Sequence, residues 1–439
     1  MDRRRFLALS SAGWAAWAAG TRGASGPAPS DDAFLDDLQR RCFRYFLEKS
    51  DPGTGLTLDR ARADGGHYAR DDRGTANVTV TGFGLAALCI GAERGWLSRS
   101  AAADRVRTVL RFFANRAPQE RGWFYHWLHL RTGQRAGAYS VNSPLSEIST
   151  IDSAFLLAGM LTARQYFSAD TEIVELADRI YRRVDFPWMV QANSPRLSHG
   201  WTPEHGFIVY DWSEYSEASV LYLLAIGSRS HPIPPSAWYG WKRNLNSFGS
   251  YRYIGTAPLF IHQYSHAFVD FRHRRDDRGQ GVDWFENSVT ATRAHRDFCI
   301  SLAKAFPGYN ATTWGITSSM SAKGYLDWGG PPFDPRIDGS VVPAAVAGSL
   351  MFTPDICLPA LRAMQERFGS KIYGRYGFTD AFHPSNGWVS SEVIGLDLGI
   401  TLLALENHRS GKLWDWFMSN PEPRRALDLA EFRPGTKAE

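Results

Sequence analysis

Helix-type segments that are apolar on nearly every side recur about six times, and they limit the possible folds more than any other feature of the chain. Several open with a polar or acidic residue, followed by small and apolar residues at helical spacing. A helix without a polar face must be buried on all sides. The segments are TGFGLAALCIGAERG from Thr81, TIDSAFLLAGMLTARQYF from Thr150, SEASVLYLLAIGS from Ser216, TATRAHRDFCISLAKAF from Thr290, VPAAVAGSLMF from Val342 and LDLGITLLALENHRSG from Leu396.

Amphipathic helices alternate with these segments. AAADRVRTVLRFFANRA and TEIVELADRIYRRV carry charged outer faces, and a helix with one apolar stripe covers a core. Six buried helices with their covering helices predict an all-α fold, an (α/α)6 barrel (toroid), with long aromatic loops such as WGITSSMSAKGYLDWGGPPFDPRIDGS at one end. An α-solenoid is the competing architecture, but its repeats should be shorter and more uniform.

The first thirty residues are typical of a twin-arginine export signal with a linker. Arg3, Arg4 and Arg5 precede a short, weakly apolar stretch, and the Gly/Ser/Pro-rich TRGASGPAPSDD follows. We therefore expect a periplasmic or secreted protein without stable membrane insertion, because the apolar stretch is too short to span a bilayer. No comparable break occurs later, which predicts one catalytic domain over residues 31–439, and we expect a monomer.

Charge, cysteine spacing and missing motifs exclude several functional classes. The signal region accounts for most of the formal net charge of +4, and a nearly neutral body gives no electrostatic basis for binding nucleic acid. The four cysteines are far apart and form no CxxC pair, which favours core positions over metal ligation. The chain has no phosphate-loop, serine-hydrolase or dinucleotide-binding motif. We expect no metal and no cofactor.

Carboxylates cluster where the buried helices begin. Asp152, Glu217 and Asp397 fall within the first few residues of three such segments, and Glu147 and Glu214 lie just upstream of two of them. Acidic residues in a first helical turn also serve as caps and interact favourably with the helix dipole. If the helices open at one end of a barrel, however, these groups converge on one cavity. Two carboxyl groups across a cleft are what glycoside hydrolysis needs.

Crowding of like charges gives one of these carboxyl groups a reason to hold its proton. Glu214 and Asp211 precede Glu217 closely in DWSEYSEAS, and a neighbouring carboxylate raises a carboxyl pKa. We expect this crowding to keep one member protonated near neutral pH, as a general acid requires. Either Glu214 or Glu217 can be that acid.

A second polar cluster lies in PLFIHQYSHAFVDFR. His262 and His266 are four residues apart, but no HExxH motif accompanies them, which favours hydrogen bonding to sugar hydroxyls, with Asp270 and Arg272 as partners, over metal binding. A tyrosine–histidine pair such as one formed with Tyr264 could instead serve a polysaccharide lyase. Aromatic residues that could stack on sugar rings are Tyr215 together with Trp123, Tyr125, Trp127, Trp284, Trp314, Tyr325, Trp328 and Trp388.

Five segments together resemble the bacterial glucoamylase-like domain, which is similar to the endo-β-1,2-glucanases of glycoside hydrolase family 144 and to a domain of cyclic β-1,2-glucan synthases. They are YSEASVLYLLAIGSRSHPI, PLFIHQYSHAFVDFR, WGITSS, GRYGFTDAFH and GLDLGITLLALENHRSGKLW. The resemblance implies an (α/α)6 barrel that hydrolyses β-linked glucan with inversion and without a metal. It implies Glu217 as the acid, Asp397 as the base and Asp152 as a supporting residue.

The chain also departs from this family pattern. Leu398 and Ile400 stand where relatives often have Gln and Pro, and Ser319 and Met320 occupy a region where relatives have an acidic residue. The expected substrate is a glucan polysaccharide or oligosaccharide, most simply a β-1,2-glucan, with endo or exo action left open. Two other classes also stay open: a polysaccharide lyase, and a non-catalytic periplasmic protein that binds glycan or assists its synthesis.

Overall fold

The computed structural model of the chain describes residues 30–67, 74–138, 144–278 and 281–435. The predicted export signal, except for its last residue, lies outside the described residues. The same holds for the last four residues of the expected catalytic domain.

Thirteen α-helices occur within the described ranges. Their bounds are α1 Asp31–Glu48, α2 Val78–Glu93, α3 Arg99–Asn115, α4 Thr150–Tyr166, α5 Thr171–Arg182, α6 Ser219–Gly227, α7 Tyr264–Phe268, α8 Trp284–Ser301, α9 Pro343–Ala347, α10 Pro354–Phe368, α11 Gly395–Arg409, α12 Lys412–Met418 and α13 Pro421–Leu429. Short 3-10 helices span Pro187–Met189, Pro235–Tyr239, Leu259–His262, Leu302–Lys304 and Gly369–Lys371.

The apolar segments become buried helices, with two corrections to the sequence interpretation. Nearly every residue of α2, α4, α6 and α11 is buried, as their apolar circumference requires. The segment from Thr290 belongs to α8, which buries one face only, because charged side chains occupy the other. The segment from Val342 gives only the five-residue helix α9, and α7, equally short and fully buried, is a helix that the sequence reading did not separate.

Contacts between the buried helices run from one to the next. α11 packs on α2, α2 on α4, α4 on α6, α6 on α7 and α7 on α11, while α9 also packs on α11. Covering helices lie outside them: α1 against α11 and α2, α3 against α2, α5 against α4, and α13 against α6. The molecule is therefore a helix-rich fold in which buried helices are enclosed by amphipathic ones.

The backbones of α2 and α4 come into direct contact at two glycines. A β-carbon on Gly159 would lie 1.9 Å from the Gly82 carbonyl oxygen, and one on Gly82 would lie 2.4 Å from the Phe155 carbonyl oxygen. No larger residue fits at either position without moving a helix. This contact fixes how closely the first turns of α2 approach the middle of α4.

Seventeen short strands of two to four residues, which the sequence reading did not predict, connect the helices of the described part. They are β1 Arg60–Arg62, β2 Thr75–Asn77, β3 Gln119–Glu120, β4 Trp123–Phe124, β5 Trp127–His129, β6 Ile148–Ser149, β7 Gly200–Thr202, β8 Gly206–Phe207, β9 Leu245–Phe248, β10 Tyr251–Ile254, β11 Arg274–Asp276, β12 Ser319–Ser321, β13 Gly324–Leu326, β14 Tyr373–Gly374, β15 Gly377–Phe378, β16 Glu392–Ile394 and β17 Phe432–Pro434.

The sheets are small and antiparallel, and three of them adjoin the beginnings of buried helices. β2, β6 and β16 run directly into α2, α4 and α11. Each pairs with a strand from elsewhere: β2 with β5, β6 with β7 and β16 with β1. In the last pair Arg60 lies opposite Ile394 and Arg62 opposite Glu392. Backbone hydrogen bonds thus tie the loops to the helix ends that carry the candidate carboxylates.

The four cysteines, Cys42, Cys89, Cys299 and Cys357, are buried free thiols, in keeping with the core positions expected from the sequence. Among the described helices none is long and apolar enough to cross a membrane.

Candidate active site

Asp152 is the third residue of α4 and is held by hydroxyl groups from two helices. The Ser149 hydroxyl accepts a hydrogen bond from the Asp152 backbone N–H at 3.2 Å and donates to Oδ2 at 2.5 Å, closing a capping arrangement. Thr79, in the first turn of α2, donates its hydroxyl proton to Oδ1 at 2.6 Å. The carboxylate is 5% exposed, so its position is fixed from both sides.

His126 faces Asp152 and was not identified in the sequence. Its Nδ1 lies 2.9 Å from Glu147 Oε1, its Nε2 lies 3.6 Å from Asp152 Oδ2, and its ring stacks on Trp127 at 4.2 Å between centroids. Burial disfavours the imidazolium, but the charges of Asp152, Glu147 and Asp59 outweigh it and raise the pKa of His126 to about 9. The same contact lowers the pKa of Glu147 against the effect of burial.

Glu217 lies in the turn two residues before α6 and is partly buried. Its backbone carbonyl accepts a hydrogen bond from the Ser265 hydroxyl on α7. Burial raises the pKa of the Glu217 carboxyl to about 7; its own backbone N–H lowers it, and the charges of Asp327 and Asp152 raise it further. A carboxyl group that keeps its proton near neutral pH is suited to general-acid chemistry.

The residues that crowd Glu217 differ from those expected. Glu214 is exposed, and Asp211 pairs with Arg196 at 2.8 Å. The carboxylates that act on Glu217 are instead Asp152, which was predicted to lie nearby, and Asp327, which was not singled out. Asp327 belongs to the aromatic loop and accepts a hydrogen bond from the Ser318 hydroxyl.

Asp397 is the third residue of α11, the same helical position that Asp152 holds in α4. It lies beside Asp380 on a small internal cavity that both residues line, and the two are 6% and 3% exposed. Burial and the charge of Asp380 raise the pKa of Asp397 well above its usual range, while burial raises that of Asp380 to about 6. Two buried carboxyl groups side by side favour a state in which only one of them is ionised.

An open cleft lies beside this region, and it includes Met320, whose backbone N–H holds Asp380, but Asp152, Glu217, Asp380 and Asp397 do not line it. It has a volume of about 420 Å³, and its lining residues are Asp59, Arg60, Thr75, Ala138, Met320, Tyr325 and Glu392. Arg60 lies 2.8 Å from Asp59 and stands over the Tyr325 ring at 5.6 Å from its centroid. The Tyr325 side chain is 40% exposed, so an apolar face suitable for a sugar ring is open in a cleft lined by charge.

The structure brings many of the predicted site residues into one region. Tyr264 links them: burial and the charges of Asp397, Tyr325, Glu217 and Asp380 raise its pKa far above the usual range. Asp152 and Glu147 adjoin the same region through His126. The sequence did not single out Asp59, Arg60, His126, Asp327, Asp380 and Glu392, all of which lie outside the buried helices.

The histidines of the second cluster do not face this region. His262 and His266 are each 1% exposed, and both lie within 3.4 Å of the Ser288 hydroxyl. Burial lowers the pKa of each to about 3. Their expected partners Asp270 and Arg272 pair with each other at 2.9 Å. The expectation that this cluster binds sugar is corrected, because its rings are enclosed in the core.

Most predicted stacking residues are also part of the core. Trp123, Trp284, Trp314 and Trp328 are at most 1% exposed. Tyr215 is 5% exposed, and its ring stacks on that of Trp284 at 4.8 Å. These rings cannot receive a sugar. The remaining predicted aromatic residues have other contacts: Trp127 packs on His126, Tyr125 lies under Arg135, and Trp388 packs at the edge of a small apolar cluster.

Comparisons with known proteins agree with the resemblance drawn from the sequence. The glycoamylase family model, described as "putative glucoamylase", matches residues 209–421, a range that contains Glu217, Asp327, Asp380 and Asp397. An exo β-1,2-glucooligosaccharide sophorohydrolase (non-reducing end) from Parabacteroides distasonis is 28% identical over 431 residues, 91% of this chain. The chain spans only 58% of that relative's length.

Solved structures extend the similarity to nearly the whole chain. An endo-β-1,2-glucanase from Chitinophaga pinensis, in complex with sophorotriose and glucose, is 28% identical with a TM-score of 0.84, covering 92% of this chain and 99% of that one. A Bacteroides fragilis protein, also described as a "putative glucoamylase", is 29% identical with a TM-score of 0.85. The match covers 94% of this chain and 100% of that one. The resemblance to glucoamylase-like proteins is confirmed.

Replacing His126 by Gln is expected to change the pH dependence of stability. The folded pKa of about 9 lies above the usual 6.5, so the imidazolium's contribution is fully present below about pH 6.5 and is lost as the pH rises through about 9. The wild type should lose on the order of 2 kcal/mol of unfolding free energy across this window, and His126→Gln should lack that loss.

Urea unfolding between pH 6 and 9.5 measures the effect, with His205→Gln as the control because His205 is exposed and outside the cluster. Identical pH dependence in the wild type and His126→Gln would contradict a charged His126.

Proposed function

We propose that this protein is a glycoside hydrolase that cleaves β-1,2-linked glucan. The observation that carries the proposal is the position of the Glu217 carboxyl, whose pKa is raised to about 7, in a region that also contains Asp152, Asp327 and the Asp380–Asp397 pair. A protonated acid and a separate carboxylate base are the two groups that glycoside hydrolysis requires. The β-1,2-glucan specificity in the names of two relatives supports the linkage.

In the proposed reaction, Glu217 protonates the oxygen of the glycosidic bond as it breaks. Asp397, as part of its pair with Asp380, accepts a proton from the water that attacks the anomeric carbon from the opposite face, which inverts the configuration. Asp152 supports the acid: its charge helps Glu217 to keep its proton, and His126 in turn balances that charge. The Tyr325 face offers a sugar ring an apolar surface beside Arg60.

We also propose that the helices close into an (α/α)6 barrel with the cleft at one end. The run of contacts through five buried helices, α11, α2, α4, α6, α7 and back to α11, supports closure, with α9 packed on α11 as the sixth and with α1, α3, α5 and α13 outside them. Similarity to a Hormoconis resinae glucoamylase, with a TM-score of 0.52 at 9% identity, agrees with a shared fold.

Of the alternatives, the polysaccharide lyase loses its structural basis. It rested on a tyrosine–histidine pair, and His262 and His266 are enclosed in the core with the pKa of each lowered to about 3. A non-catalytic glycan-binding protein is distinguished by experiment, since it releases no new reducing ends from β-1,2-glucan.

Glu217→Gln is expected to lower the hydrolysis of β-1,2-glucan by about 10²-fold or more, because the amide cannot supply the acid's proton. The fold should be retained, since the two side chains are nearly isosteric. Glu214→Gln is the matched control: its carboxylate lies three residues away and is exposed, and its turnover should stay near that of the wild type. Release of reducing ends measures both. Normal turnover of Glu217→Gln together with loss in Glu214→Gln would transfer the acid's role to Glu214.

The first product formed from β-1,2-glucan is expected to carry the α-anomeric configuration. Glu217 and Asp397 come from different helices, which favours room for a water between substrate and base, whereas a retaining pair lies only about 5 Å apart. Proton NMR in the first minutes of reaction, before mutarotation, identifies the anomer. An initial β-anomer would refute inversion and indicate a covalent intermediate.

We further propose that residues 1–30 direct export through a twin-arginine pathway. A triple change of Arg3, Arg4 and Arg5 to Lys keeps the charge but removes the guanidinium groups that a receptor can read. We expect the native chain in the periplasm or medium and the triple variant retained in the cytoplasm, as measured by cell fractionation and activity. Equal recovery of both forms outside the cytoplasm would refute this route.

A further inference from the structure

Asp380 and Asp397 together need a proton that neither residue would need alone. Asp380 Oδ1 and Asp397 Oδ2 are both buried, and neither has a hydrogen-bond partner among the described residues. Both residues line the same small internal cavity. Two ionised carboxylates side by side would repel each other and leave both oxygens without a donor, whereas one proton between them removes the repulsion and satisfies both oxygens.

The surroundings keep this proton in place. On one side the pair adjoins apolar side chains: Leu38, Cys42, Phe378, Val393, Ile394 and Leu398. The Met320 backbone N–H donates to Asp380 Oδ2 at 2.7 Å and thereby leaves Oδ1 as the oxygen without a donor. This arrangement orients Asp380 for a bond to Asp397.

Charged and titratable groups on the neighbouring elements do not replace the proton. Arg60 is the cation that acts on the pair, but its Nε lies 2.8 Å from Asp59 and its Nη1 lies 4.0 Å from Glu392, so its charge is shared. The other groups that act on one or both members, or on Tyr264 beside them, are anionic or neutral: Asp59, Glu392, Glu217, Tyr264 and Tyr325.

We propose that Asp380 and Asp397 share a single proton and work as one singly charged base, with Asp380 as the positioning residue of Asp397. The inference rests on the proposed hydrolytic function. As the water oxygen bonds to the anomeric carbon, the water's proton passes to the ionised pair, which then holds two protons. The anomeric carbon–oxygen bond to the leaving sugar breaks, and that oxygen takes the proton of Glu217. Afterwards the pair returns one proton to solvent and Glu217 takes one up from solvent, which restores both groups.

Burial makes this paired base stronger than a solvated aspartate. A general base is most effective when its pKa lies near the working pH. The first ionisation of the pair near pH 6, the value to which the pKa of Asp380 is raised, meets that condition better than an ordinary aspartate at about 3.9. Acid and base would then titrate close together and give a narrow pH optimum.

The test compares the pH profiles of kcat/KM for the wild type, Asp380→Asn and Asp327→Asn. The Asn amide can still accept from Met320 and donate to Asp397, but an amide N–H stabilises a carboxylate less than the shared carboxyl O–H that it replaces. Because Asp397 stays buried, we expect the acidic limb of Asp380→Asn to move up by about one pH unit. Asp327→Asn is the control, because Asp327 acts on Glu217 and its loss should lower the alkaline limb alone. An unmoved acidic limb in Asp380→Asn would overturn the proposal.

A measurement without turnover separates this proposal from the hydrolytic function. In the Glu217→Gln background, the infrared carbonyl band of a protonated carboxylic acid should persist at pH 7.5 and should disappear on adding either Asp380→Asn or Asp397→Asn. Its absence from the parent, or its persistence in both double variants, would overturn the shared proton. If the double variants fail to fold, the parent's band decides. A wild type that does not cleave β-1,2-glucan would refute the proposed function but not the pairing.

Discussion

The contact between α2 and α4 at Gly82 and Gly159 is the constraint on which the rest of the site depends. Each glycine faces backbone of the other helix, so the helices approach as closely as two helices can. Thr79 lies one turn before Gly82 and Asp152 two turns before Gly159, which lets the Thr79 hydroxyl reach the Asp152 carboxylate at 2.6 Å. Asp152 then orders the neighbouring charges, because His126 pairs with it and Glu217 is influenced by it.

The negative charge of these closely spaced, poorly solvated carboxyl groups is balanced in two different ways. On the α4 side cations balance the charge: His126 lies between Glu147 and Asp152, and Arg60 pairs with Asp59. On the side of α6 and α11 burial instead raises the pKa of Glu217 and of Asp380 and Asp397, which favours their protonated forms. Burying an unpaired carboxylate is costly, and neutralisation by a cation or by a proton are the two ways to avoid that cost.

The sequence allowed the helices and the first carboxylates to be predicted, for a physical reason. A helix that is apolar on all sides can be recognised from one continuous segment of sequence. Asp152 and Asp397 each occupy the third position of such a helix. His126, Asp59 and Asp327 could not be found in this way. They lie in short strands and loops, and only long-range strand pairing brings them to the site. Asp380 lies within GRYGFTDAFH, one of the five segments that resemble the family, and could have been identified from that resemblance.

The β12–β13 hairpin has a consequence for how such a scaffold can change its substrate range. It carries the open Tyr325 face into the cleft, yet the Met320 N–H in its first strand holds Asp380. A register slip by one residue would point that N–H elsewhere and turn Tyr325 to the opposite face. A change in this hairpin would therefore alter both the contact with sugar and the pKa of the base.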